Sequence, residues 1–502
     1  MKKLKIFIQN FLILTFTSLL LNILGLSFNT YITNLVGTEC LGIFSLVMSV
    51  FTFAVTLANS GLYLATTRIV SEELACHNEY LAKKAAKRCL FYSFIVGTLS
   101  CLLVVLFSNM IASIWLHGKV NSLTICILGL SLPFVAISGS ITGYFNAIRK
   151  ASKNAVAQIL EQITKIVFST FLILNIMPKG IDYSCLALVI GILVSEVLSF
   201  IYIFICYQKD ISKRKCTYKE DSKENISKRI LDICVPVAIA SYIRSGLSTL
   251  KNILIPLRLE KSGMSCELAV SSYGMINGIA LPLILFPSVF INSFSSLLIP
   301  EFARYYATKD SKKINYIISK IFKTSCVFSI SMFFIFYYFS EDLCNLLYPN
   351  IEIVTYVKLL SPLLLIIYLD TIVDSILKGL NEQLSVMKCN ILDLFVSISF
   401  IYFLLPMFGT YGYIVVIYIS EILNGLISIK KLLSLTKVKF QFLKWLILPI
   451  LSGLLALQSI YLMHIQMSNM ILNLAINMLL FLLIYLFFLF LMSGIDKKDF
   501  KL

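Results

Sequence analysis

Apolar residues gather along this chain into fourteen long stretches separated by short polar segments, at about 6–35, 41–66, 87–115, 121–148, 154–176, 184–207, 229–257, 268–300, 317–340, 352–378, 384–406, 411–430, 440–464 and 468–493. A helix needs about twenty consecutive apolar residues to cross a bilayer, and each stretch is near that length or longer. The pattern predicts an all-α polytopic membrane protein with 14 transmembrane helices. The first stretch is too long for a signal peptide and lacks a small-residue cleavage site, so it reads as a retained first span.

Composition agrees: hydrophobic residues make up 58 % of the 502, charged residues 14 %, and mean hydropathy is +0.88. A water-soluble chain of this size needs far more charge to cover its surface. The formal charge of +17 raises nucleic acid as a partner, and its distribution argues against one. With the N-terminus in the cytoplasm, 35 of the 43 Lys and Arg fall in inward segments such as "AKKAAKR" and "KDISKRKCTYKEDSKENISKR". Five lie outside (Lys119, Lys179, Arg258, Lys261, Lys358) and three within spans (Lys165, Arg244, Lys251). Cytoplasmic loops of membrane proteins carry this bias, which the anionic inner leaflet favours. The expected location is the cytoplasmic membrane, with both termini inside.

The longest hydrophilic stretch follows the sixth span. A shift of 232 residues lays "QILEQITKIVFSTFLIL" (158–174) over "NILDLFVSISFIYFLLP" (390–406), repeating Ile159, Leu160, Ile166, Phe168, Phe171 and Leu172 and placing Glu161 on Asp393. The same shift puts Gly42 on Gly274. The expected organisation is a six-helix lobe at 1–207, a cytoplasmic linker at 208–228, a second six-helix lobe at 229–432, and two additional helices with a tail at 433–502. Six spans per copy make the repeats parallel, around a central cleft.

An ionisable side chain at mid-membrane costs at least ~2.5–3.5 kcal/mol, so it faces a partner or water. Glu161 and Lys165 stand one helical turn apart, as do Asp370, Asp374 and Lys378. Glu196, Asp393 and Glu421 add further acids. Two readings stand for Glu161, Lys165, Asp370, Asp374 and Asp393: internal ion pairs, or coupling of an ion.

The stretch "SYIRSGLSTLKNILIPLRLEK" (241–261) differs in kind. Seven residues turn a helix through about 700°, so Arg244, Lys251 and Arg258 form one stripe about 10 Å apart along the axis. Ser248 and Asn252 add hydrogen-bonding groups, and no carboxylate lies within four residues of Arg244 or Lys251. They either pair with Asp370, Asp374 or Asp393 across the cleft, or form a cationic ladder for an anionic substrate, guanidinium and ammonium groups being suited to phosphate oxygens. Arg68, at the inner end of the second span, would meet lipid headgroups.

The 13 cysteines are scattered without a C-x-x-C pair, and His77, His117 and His464 match no ligand spacing; no metal or cofactor is expected. Short loops without acid/base pairs argue against an enzyme.

The segments "NTYITNLVGTECLGIFSLVMSVFTFAVTLANSGLYLATTRIVSEE" (29–73) and "SSYGMINGIALPLILFPSVFINSFSSLLIPEFAR" (271–304) resemble the polysaccharide-exporter branch of the multidrug/oligosaccharidyl-lipid/polysaccharide flippase superfamily. The similarity is greatest to the stage V sporulation protein B group, carried by Gly37, Gly42, Phe44, Gly61, "TTRIVSEE" and Pro300. The resemblance implies alternating access and flipping of an undecaprenyl-diphosphate-linked saccharide or peptidoglycan precursor. Related lipid II flippases carry cavity cations in the first span, whereas here that span is uncharged between Lys5 and Glu39. The alternative is a cation-coupled multidrug or metabolite antiporter using membrane carboxylates. The implied partners are an anionic lipid-linked glycan, membrane lipid, and a coupling cation or the membrane potential.

Overall fold

A computed structural model describes residues 2–59, 61–76, 78–115, 120–176, 181–213, 226–307, 311–348, 351–436, 438, 441–463 and 469–492. Most of the linker, the tail from 493, Lys119, Lys179 and the three histidines lie outside the described residues. Among those described, thirteen helical stretches are long and apolar enough to cross a membrane, Gln383–Leu435 counted as one.

Helix breaks follow residues that cannot continue a helix. Gly61, at φ 72°, separates Thr38–Asn59 from Leu62–Ala75, within what the apolar pattern reads as one span. The long stretch at 268–300 divides into Cys266–Tyr273, a π-helical turn Gly274–Ala280, Leu281–Leu285 with Pro282 in its first turn, and Ser288–Ala307 after Pro287. Gly409, at φ 56° and ψ −135°, bends Gln383–Leu435 into two helices that match the expected spans 384–406 and 411–430. Only glycine adopts that backbone conformation without strain.

Two compact units result: residues 1–260 with 265–274, and 261–264 with 275–502. The helix Ile226–Glu260, which the spacing reads as the start of the second lobe, packs on Thr38–Asn59 and Leu62–Ala75 within the first unit. Its N-terminal end is fastened by Arg229, whose guanidinium donates to Glu72 at 2.5 Å and Glu73 at 2.7 Å. Elsewhere in this unit Phe28, Ile32, Cys40, Ile173 and Leu188 form one apolar cluster, and Val70, Ile141, Tyr144, Phe145 and Ile203 another.

Gly42 and Gly274, superposed by the 232-residue shift, touch each other. A side chain on Gly274 would stand 2.6 Å from the Thr38 carbonyl and 2.7 Å from the Gly42 nitrogen. Thr38 and Ser271 share a 2.6 Å hydroxyl contact beside this crossing. In the second unit the last two helices, Leu448–Met463 and Met470–Leu491, pack on Ser311–Tyr338 through Phe334, Ala456, Phe481 and Tyr485. Their other faces leave Leu454, Leu483, Phe487 and Phe490 exposed, the apolar surface that acyl chains solvate.

Candidate functional site

The cationic stripe is carried by Ile226–Glu260, a helix held in orientation by polar contacts on one side. Tyr242 donates to the Leu57 carbonyl at 3.1 Å, Thr249 to the Ser49 carbonyl at 3.2 Å, and Asn252 Nδ2 to Ser49 Oγ at 3.1 Å. Asn252, a candidate for substrate binding, thus has its amide nitrogen engaged by Ser49. Gly246, Leu250, Ile253, Leu254 and Leu257 line an apolar cavity of about 420 Å³ with Phe53, Ile114 and Trp115. On a helical wheel Gly246, Leu250, Ile253, Leu254 and Leu257 centre about 115° from the cations. Arg244 is exposed, and Ser248, Lys251 and Arg258 are half-buried. Among the described residues neither Arg244 nor Lys251 has an ion-pair or hydrogen-bond partner. Arg68 is exposed and engaged with Glu72 at 2.9 Å, in the same cluster as Arg229.

In the second unit Asp370 and Asp393 are met by an amide and a hydroxyl, and Asp374 has Lys378 as a charged neighbour. Asp370, 9 % exposed, accepts from Asn424 Nδ2 at 2.9 Å, and Asp393 accepts from Ser420 at 2.5 Å, which itself accepts from Ser397 at 2.9 Å. Asp370 Oδ1, Asp374 Oδ1, Asn424 Oδ1 and Ser428 Oγ are buried with no hydrogen-bond partner among the described residues.

The first unit holds a second polar group. Glu161 and Glu196 line one cavity of about 180 Å³, and Lys165 has these two acids as its charged neighbours without reaching ion-pair distance among the described residues. The expected i,i+4 pair Glu161–Lys165 is thus a proximity and not a closed ion pair. Among the described residues no three His, Cys, Asp or Glu side chains converge as a metal site.

Several residues in these groups escaped sequence reasoning: Asn59, Ser138 and Asn154 in the first unit, and Asn390, Asn424 and Ser428 in the second. A signal was available. Asn154, Gln158, Glu161 and Lys165 follow steps of four, three and four, and Ser420, Asn424 and Ser428 steps of four, so each set shares a helix face.

Many helices long and apolar enough to cross a membrane, with ionisable groups held inside them, define a multi-pass membrane protein. Residues 7–306 match the family of polysaccharide biosynthesis proteins, and the chain belongs to that family. It is similar to stage V sporulation protein B of Bacillus subtilis (strain 168), 22 % identical over 454 residues that cover 88 % of each chain. Lipid II flippase MurJ of the same organism is 23 % identical over 454 residues, covering 84 % of this chain and 81 % of that one. A solved structure of lipid II flippase MurJ in an inward closed conformation matches with a TM-score of 0.70 at 17 % identity, covering 94 % of this chain and 97 % of its own. That likeness concerns the fold. The resemblance carried by residues 29–73 and 271–304 is confirmed.

Proposed function

We propose that this protein is a flippase of the cytoplasmic membrane that moves an undecaprenyl-diphosphate-linked saccharide or peptidoglycan precursor outward by alternating access. The reading rests on one observation: Arg244 and Lys251 lie in a membrane span with no partner among the described residues. Leaving two cations unneutralised there is costly, and an anionic passenger offsets that cost. A diphosphate suits them, since it presents several oxygens to a guanidinium fork and to an ammonium one ladder step away. Arg244 and Lys251 would hold the diphosphate, Ser248 would add a hydroxyl between them, and Arg258 would receive the group at the outer end. Arg68 would meet headgroups at the inner surface, with both termini in the cytoplasm. The name of one relative, lipid II flippase MurJ, supports the same class of cargo.

Reconstituted protein tests the proposal. Arg244→Ala with Lys251→Ala is expected to slow flipping of a labelled polyprenyl-diphosphate-linked substrate by at least about tenfold, because each charge-assisted hydrogen bond contributes about 1.5–3 kcal/mol. An unchanged rate would remove the ladder from the mechanism.

One observation favours a second reading, cation-coupled antiport: Asp370 and Asp374 each keep a buried carboxylate oxygen without a donor. In the flippase these acids, with Asp393, would couple transport to a cation. In an antiporter, Asp370→Asn or Asp393→Asn would abolish sodium- or pH-dependent efflux of a cationic compound. Arg244 and Lys251 repel such a passenger, so the flippase is preferred.

A further inference from the structure

Inside the first unit, helices Thr38–Asn59, Leu132–Ala147, Ala151–Ile176 and Ile181–Lys213 surround the cavity of about 180 Å³. Eight of the residues facing it carry side-chain oxygen: Asn59, Ser138, Thr142, Asn154, Gln158, Glu161, Glu196 and Ser199. Asn154 is 5 % exposed, and its Nδ2 donates to the Thr142 carbonyl at 3.1 Å and to Asn146 Oδ1 at 2.8 Å. With the amide nitrogen so engaged, the side chain cannot flip, and its Oδ1 is left buried with no donor among the described residues. Asn59 Oδ1 is buried in the same condition; it lies over Gly139, where any side chain would collide with it. Ser138 Oγ is also unpartnered. A hydroxyl can donate as well as accept, but an amide oxygen only accepts. Two such oxygens buried around one cavity call for a donor or a cation.

Charge decides between ligand classes. With Glu161 and Glu196 ionised, the state in which a bound cation holds them, and Lys165 protonated beside both, two negative charges face one positive. The balance is one negative charge, which a single monovalent ion cancels and a divalent ion overshoots. The donors are all oxygen, with no Cys or His on the cavity wall, which selects hard cations over zinc or copper. At ~30 Å³ per water the cavity accommodates an ion together with several waters. We infer that this cavity is a binding site for a monovalent alkali cation, held by Glu161, Glu196, Asn154 and Asn59, in a unit separate from the acids Asp370, Asp374 and Asp393. The inference goes beyond the flippase reading and does not depend on the identity of the passenger.

Equilibrium binding of radioactive Na⁺ to the purified full chain, with choline chloride holding ionic strength constant, tests it. The double variant Asp370→Asn with Asp374→Asn is expected to retain one saturable Na⁺ site per chain. Adding Glu161→Gln or Glu196→Gln is expected to weaken that site at least about tenfold, one pKd unit being about 1.4 kcal/mol. As a second measurement, the melting midpoint should rise with Na⁺ and not with choline in the Asp370/Asp374 variant, and this rise should vanish in Glu196→Gln. Gly139→Ala, which displaces the Asn59 oxygen without touching a charge, should weaken Na⁺ binding also. No saturable Na⁺ in the Asp370/Asp374 variant, or binding undiminished by the glutamate variants, would overturn the site. Stabilisation by acid equal in Na⁺ and choline would overturn it too, assigning the cavity to a proton. Arg244→Ala with Lys251→Ala should leave Na⁺ binding unchanged, so failure of the ladder and failure of this site are separately visible.

Discussion

Carboxylates of similar chemistry serve different ends in this chain, depending on what stands opposite them. Glu382, between two spans, accepts a hydrogen bond from Ser385 at 2.5 Å and is paired with Lys431 at 3.2 Å. The Ser385 hydroxyl first, and Lys431 second, hold its carboxyl below the ordinary value of 4.5. A depressed native pKa means that the unfolded chain binds more protons on acidification. The contribution is therefore present above the ordinary value and is lost as pH falls through the native one. Ser385→Ala should raise the Glu382 pKa toward the ordinary value, which a carboxyl NMR titration of the labelled residue would reveal. Asp370 differs: it is buried, one oxygen accepts from Asn424, and the other has no hydrogen-bond partner among the described residues. Arg244 allows a finer test than its deletion. Arg244→Lys keeps the charge and loses the planar fork, so flipping should fall between wild type and Arg244→Gln, a ranking measurable in proteoliposomes.

At the scale of the element, glycines determine where helices stop and how closely they cross. Gly409→Ala forces a side chain into a backbone conformation that costs an L-residue about 1–2 kcal/mol. The variant should melt earlier in detergent while its helix content is unchanged. Gly274→Val drives a branched side chain into the Thr38 carbonyl and the Gly42 backbone. Overpacking of that kind costs about 1–3 kcal/mol, so the midpoint should fall, and the loss should exceed that of Gly25→Val, where the nearest atom, Gln162 Nε2, lies 3.8 Å away. Pro236 and Pro256 sit within Ile226–Glu260 without ending it. Its contacts to Ser49, Leu57, Glu72 and Glu73 hold the helix along most of its length.

For the whole molecule, the consequence to test is orientation. An orientation with the cationic loops inward would put Cys76 at the inner surface and Cys266, after the seventh span, at the outer one. Cys76 is exposed and Cys266 partly so. In single-cysteine variants an impermeant maleimide should label Cys266 in intact cells and Cys76 only after permeabilisation. Reversed labelling would invert the topology and the outward direction of transport with it.

Span positions, the all-helical class and the family were legible in the sequence, because burial in lipid is scored locally: a window of about twenty apolar residues suffices whatever its neighbours do. The breaks at Gly61 and Gly409 were less so, since a glycine inside an apolar run does not announce its φ. Which charges meet was not legible at all. A period of 3.6 places Arg244 and Lys251 on one stripe, but not whether an acid on another helix reaches them. It likewise aligns Asn154 with Glu161, but not with Asn59 or Glu196. Those meetings depend on the rotation and crossing of helices far apart in the chain, set by close approaches such as Gly42 on Gly274. Helix register is a property of packing, and packing is what the tertiary structure decided.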